Sequence, residues 1–226
     1  MFIGHFAVGL AAKRLVPGVS LGTLFLAAQL ADLVWPTLVL LGVESFSIRP
    51  GITAVTPLDF SHYPYSHSLV ALAGWGGLLG VLYFSLKRNL PGAAMLFALV
   101  LSHWLLDFVS HRPDMPLTLA GTERFGLGLW HSRIATLAVE GVLFAACVGV
   151  YARATQPVDK TGRWALLGLV GFLALIYVVN IFGPPPPSVA AVAWSAQAIW
   201  LLVAWGYWVD LHRKIRGRSP DSGTEP

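Results

Sequence analysis

Six long apolar stretches run along the chain, at about 20–42, 66–86, 92–111, 130–151, 163–183 and 188–210, with polar or Pro/Gly-rich connectors between them. Each is close to the ~20 residues that a helix rising ~1.5 Å per residue needs to cross a bilayer. A further apolar segment, 2–16, is marginal in length and predicts a re-entrant piece or a helix packed inside the bundle. The pattern therefore predicts an all-α fold: a polytopic membrane helix bundle of about six transmembrane helices plus a short N-terminal apolar helix. Residues 1–218 read as one integral membrane domain and the polar tail 219–226 as disordered. Connector 43–65, with Pro50, Gly51, Pro57 and Pro64, and connector 112–129, with Pro113, Pro116, Gly121, Gly126 and Gly128, predict irregular loops. The run Pro184 to Pro187 predicts a stiff, charge-free turn between the last two spans.

Composition agrees with a lipid environment. Of 226 residues, 56% are hydrophobic and 12% charged, against about 25% charged in a soluble domain. So few charges leave a surface that water would not solvate. The single cysteine, Cys147, excludes an internal disulfide and a cysteine-zinc cluster. Lys13 and Arg14 follow the first apolar segment rather than precede it, so the amino terminus reads as retained, not as a cleaved signal peptide.

The net charge of +4 is modest and unevenly spread, which argues for topology and against nucleic-acid binding. One set of connectors holds Lys13, Arg14, Lys87, Arg88, Arg153, Lys160, Arg163, Arg213, Lys214, Arg216 and Arg218, and the opposite set only Arg49, Arg112, Arg124 and Arg133. The basic set is expected on the cytoplasmic side, with the carboxyl terminus, in a bacterial inner membrane. Loops 43–65 and 112–129 then face outward.

Placed on that topology, the ionisable residues gather. His62 and His67 fall at the outer mouth of the second span. His103, Asp107 and His111 lie at i, i+4 and i+8, one stripe of one helix. Asp32 is near the middle of the first long span, and His5 is on the outer side if segment 2–16 crosses. Acids in a membrane are costly unless paired or bound to something, and a divalent cation would offset that cost for Asp32 and Asp107. Mixed His and Asp ligation suits zinc, manganese or iron, and a hydrolytic site needs such a set with one open position for a water whose pKa the metal lowers. The candidate ligands are His5, Asp32, His62, His67, His103 and Asp107, with zinc or manganese as the cofactor.

Other residues have plainer readings. His111 either extends the stripe or caps the helix end, and His131 follows Trp130 at an interface where polar aromatics are common. Glu140 lies nine residues beyond His131, half a turn out of phase, so it bonds another helix or touches the site from a distance. Ser66 and Ser68 flank His67 and suit supporting or capping roles. Arg112 and Arg124 are solvated loop arginines unless they orient a phosphate.

The elements His5-Phe6-Ala7-Val8-Gly9, Asp32, His62-Tyr63-Pro64-Tyr65-Ser66-His67-Ser68 and His103-Trp104-Leu105-Leu106-Asp107 resemble, in order and spacing, the YdjM-type family of membrane-bound, metal-dependent hydrolases. The resemblance covers roughly 1–111 and leaves the additional spans, 130–210, unmatched. At one position the chain departs from the pattern: where the family has a second acid, two residues after Asp32, this sequence has Val34. The family is more distantly similar to the zinc-dependent phospholipase C and P1-type nuclease fold. The resemblance thus implies metal-dependent hydrolysis of a phosphoester, with a lipid or lipid-linked substrate at the outer face. Two other classes fit the same residues. A metal or proton transporter would continue the polar path to the inner side, where Glu140 and Asn180 are the exceptions. A non-enzymatic scaffold would use the polar groups only to lock helices together.

Overall fold

The computed structural model describes residues 1–217, so the tail 219–226 lies outside the described residues. Among the described residues, five helices are long and apolar enough to cross a membrane: α5 (Leu69–Lys87), α6 (Leu90–Ser110), α7 (Arg133–Ala154), α8 (Lys160–Phe182) and the span Val189–Leu211, itself α9 (Val189–Ala196) followed by α10 (Ile199–Leu211). The bent pair α2 (Leu21–Ala28) and α3 (Leu30–Leu40), which turns by 56° at Gln29, is apolar enough as a pair to be a broken span or a re-entrant loop, giving five to six spans. The chain is an all-α integral membrane protein. Leu78, Val81, Val142, Leu175 and Leu201 point outward and are exposed, which suits contact with lipid rather than water.

The helix starts follow local chemistry. Ser20, Ser68, Asn89, Ser132, Asp159 and Ser188 each accept a backbone N–H three residues on, capping α2, α5, α6, α7, α8 and the span that begins with α9. Each cap satisfies a donor that apolar surroundings would leave unpaired.

The short segment forms α1 (Phe2–Leu15), and it is the centre of the bundle. It packs against α7, α2, α6 and α8, with Phe6, Ala7 and Leu10 fully buried. At ~1.5 Å per residue, its 14 residues are short for a crossing. Enclosure by other helices supplies the contacts that lipid would not. Its basic end is tied to α10: Lys13 Nζ donates to Asp210 Oδ2 and to the Val19 carbonyl, both at 2.8 Å.

The connector 43–65 is more regular than its prolines predict. Strands β1 (Ser45–Ile48) and β2 (Leu58–His62) pair antiparallel and run into a single-turn helix α4 (Pro64–His67). A two-residue ribbon, β3 (Met115–Pro116) with β4 (Arg124–Phe125), orders the second connector. At the basic end, β5 (Thr155–Pro157) pairs with β6 (Arg213–Ile215) and ties the α7–α8 turn to the end of α10.

Candidate metal centre

α6 presents one stripe to the bundle interior. His103 and Asp107 lie one turn apart and both are buried, while His111 sits at the C-cap, where the backbone has left the helix at φ −67° and ψ 150°. Three other elements meet this stripe. α1 brings His5, the α2–α3 bend brings Asp32, and α4 brings His67.

Asp107 is the hub. Its Oδ2 lies 3.2 Å from His103 Nε2, 3.8 Å from His111 Nε2 and 3.9 Å from His67 Nε2. Its Oδ1 lies 3.1 Å from His5 Nε2 and accepts a hydrogen bond from the Met1 amino group. Asp32 Oδ1 is 3.5 Å from His67 Nε2 and 3.8 Å from His103 Nε2. The His5 and His103 rings stack with centroids 3.7 Å apart. Two overlapping ligand sets result: His5, His103 and Asp107, and Asp32, His67 and His103. A tetrahedral ion with bonds of about 2.0–2.1 Å holds its ligand atoms about 3.3 Å apart, so these separations fit an ion between them.

The far side of each ring explains its orientation. His103 Nδ1 is 2.9 Å from the carbonyl oxygen of Ala28, an acceptor only, so in the neutral ring Nδ1 carries the proton and Nε2 keeps its lone pair. His111 Nδ1 is 2.9 Å from Asp114 Oδ1, with the same consequence. His67 Nδ1 is 2.7 Å from Ser66 Oγ, which is itself 2.6 Å from Glu44 Oε2. Imidazoles that ligate metals are held this way, through the ring nitrogen that does not bind. His103 Nε2 is fully buried and has no hydrogen-bond partner among the described residues. A buried, bare nitrogen beside two carboxylates is what an ion would satisfy.

The site is closed except at Asp32, whose side chain keeps 26% exposure while those of His67, His103 and Asp107 keep 5% or less. Beside it, Trp35 Nε1 and the Gln29 side-chain amide are buried and have no partner among the described residues. Outside the spans, Asp114 also accepts from Tyr63 and pairs with Arg112, which reaches Asp59 in turn. Burial, and then the facing Asp114 carboxylate, push the Tyr63 phenol well above its usual range, so it stays a donor.

Not every candidate joins the cluster. His62 is exposed at the end of β2 and meets Tyr65 edge-on. Strict alternation would place His62 on the inward face with Phe60, but the ladder register shifts between Ser45 and Phe46, opposite the end of β2, and there the ring is exposed. His111 occupies the place beside Asp107 instead. Ser68 caps α5, and Arg124 bonds the carbonyls of Gly121 and Glu123. His131 is exposed, lining a surface cleft with Gly51, Thr53 and Arg133. Glu140 is buried in α7 facing the Ile3 and Gly4 amides at the start of α1, and Asn180 is exposed. Glu44, a single acid in a loop, carried no sequence signal, whereas Asp114 stands only three residues after His111. Comparison with family models, curated proteins and solved structures finds no match for this chain.

Proposed function

We propose that this integral membrane protein is a metal-dependent hydrolase of a lipid or lipid-linked phosphoester. The observation that supports this most is the orientation of His67, His103 and His111. Each has Nδ1 engaged away from the centre and Nε2 turned toward Asp107 or Asp32. Asp32, His67, His103 and Asp107 would hold a divalent cation, zinc or manganese, with His5 and His111 adjoining. The cation supplies Lewis acidity toward a phosphoryl oxygen and acidifies water. Asp32, at the open edge, meets the incoming substrate. Gln29 and Trp35 offer buried donors beside it. The likeness of 1–111 to the YdjM-type family supports the same reading, as does the fit of a lipid substrate to a site within apolar helices. With the basic connectors cytoplasmic, the site lies toward the outer face of a bacterial inner membrane.

A scaffold reading has one observation in its favour. His103 ties α6 to α2 through the Ala28 carbonyl with no ion needed. Elemental analysis of detergent-purified protein, beside His103→Ala/Asp107→Ala, separates the two. Stoichiometric zinc or manganese lost in the folded double variant supports the hydrolase. No metal in either favours the lock.

A further inference from the structure

Glu44 precedes β1, is 2% exposed and accepts three hydrogen bonds from α4. Its Oε1 takes the Tyr65 and Ser66 amides at 2.8 and 2.9 Å, and its Oε2 takes the Ser66 hydroxyl at 2.6 Å. A carboxylate has no proton to give, so the hydrogen in that short contact comes from Ser66. Ser66 has only one, and its Oγ can then only accept from His67 Nδ1, 2.7 Å away. In the neutral ring the proton therefore sits on Nδ1. The bare lone pair is on Nε2, the atom that faces Asp32 and Asp107.

We propose that Glu44 is a positioning residue that sets the tautomer of His67 through Ser66, and so makes His67 Nε2 a metal ligand. The inference rests on the metal reading of the site. It also explains why a lone loop acid is buried: three donors of α4 converge on it, and the same contacts fix where α4 stands relative to Asp107.

Glu44→Gln tests it, because the amide is isosteric and reverses the hydrogen-bond direction. The two backbone amides still require the oxygen on their side, which puts the side-chain NH2 against Ser66 Oγ. Ser66 must then accept from Gln and donate to His67 Nδ1, and the ring proton moves to Nε2. That nitrogen then points a hydrogen at the place a cation would occupy. Loss of such an outer partner weakens metal binding about 10–100-fold.

The experiment titrates zinc alone into detergent-solubilised wild type, Glu44→Gln and Ser66→Ala, and records histidine 15N shifts without metal. The expected result is zinc binding at least about tenfold weaker in Glu44→Gln at an unchanged thermal midpoint, with the His67 signal changed to the Nε2–H tautomer. Ser66→Ala should weaken zinc binding too and release His67 from a single tautomer, and it decides the matter if Glu44→Gln does not fold. Unchanged zinc affinity, or an unchanged His67 tautomer, in a folded variant overturns the proposal. If wild type binds no zinc, the metal reading fails. The tautomer shift then tests the Glu44–Ser66–His67 chain by itself, and its absence overturns that as well.

Discussion

His103 on α6 spans two helices at once: its Nδ1 lies 2.9 Å from the Ala28 carbonyl at the end of α2, and its Nε2 lies 3.2 Å from Asp107 Oδ2 one turn along its own helix. The ring's protonation pattern is thus set by the bend at Gln29, because the bend places that carbonyl. Fold and site chemistry meet in this residue.

Asp107 lies within 4 Å of His5, His67, His103 and His111, so its charge matters more than its volume. Asp107→Asn keeps the shape and removes the negative charge that would attract a cation. The expected outcome is loss of bound metal, measured by elemental analysis, with the helical circular dichroism retained. Asp107→Ala, which deletes a buried partner outright, should also cost about 3–5 kcal/mol of stability.

His62 provides the contrast. It is exposed and touches Tyr65 alone among the aromatics. His62→Ala should leave metal content at the wild-type level and change stability by no more than about 0.5 kcal/mol. Loss of metal in this variant would show that loop 58–63 closes over the site.

The spans were legible in the sequence because length and apolarity suffice to define them, and the stretches 66–86, 92–111 and 163–183 match α5, α6 and α8 closely. The bend at Gln29 was not legible. Neither proline nor glycine stands there, and the nearest Pro, Pro36, lies inside α3. The stripe His103, Asp107 and His111 follows from helical periodicity, but the choice between His62 and His111 does not. It depends on where β2 ends and on a helix cap that keeps His111 turned inward. Glu44 reaches Ser66, and through it His67, only by the return of the 43–65 chain over the bundle, a tertiary fact with no local pattern. Asp114 stands three residues after His111, a local spacing that acquires meaning only because the helix cap turns that ring inward.

At the other end of α1, Lys13 is nearly buried and its partner Asp210 is largely so, at 2.8 Å. Lys13→Met leaves Asp210 without its cation and should lower stability by about 3–5 kcal/mol. Pairing it with Asp210→Leu should recover most of that loss, since an apolar pair of similar volume suits these surroundings. Thermal midpoints of the two variants, compared in one detergent, check the ordering.

Asp159 lies outside the spans, where His212 Nδ1 sits 2.7 Å from its Oδ2. That contact first, and the Gly162 amide second, hold the Asp159 carboxyl below its usual range. A carboxyl with a lowered folded-state pKa stabilises the fold above its unfolded value of about 4 and loses that contribution as pH falls below it. His212→Ala should therefore lower the thermal midpoint at pH 6–7 by a small amount, and the difference from wild type should shrink as pH falls through the lowered carboxyl pKa. A difference that persists in acid would assign the effect to packing.

Gly206 on α10 faces Gly22 on α2 so closely that a Cβ at 206 would lie 3.1 Å from the Gly22 Cα and 2.9 Å from the Phe25 ring. Small residues of this kind let membrane helices approach. The Gly22 backbone cannot yield without moving α2, and α2 carries the Ala28 carbonyl that orients His103. Gly206→Ala should therefore cost about 1–3 kcal/mol and weaken metal binding at a distance from the site. Gly171→Ala is the control, because a Cβ there meets open space on α8. It should leave metal binding unchanged and stability equal or slightly raised, as alanine suits a helix interior better than glycine. If Gly206→Ala loses stability but keeps full zinc affinity, the position of α2 does not control His103, and the coupling between helix packing and site fails.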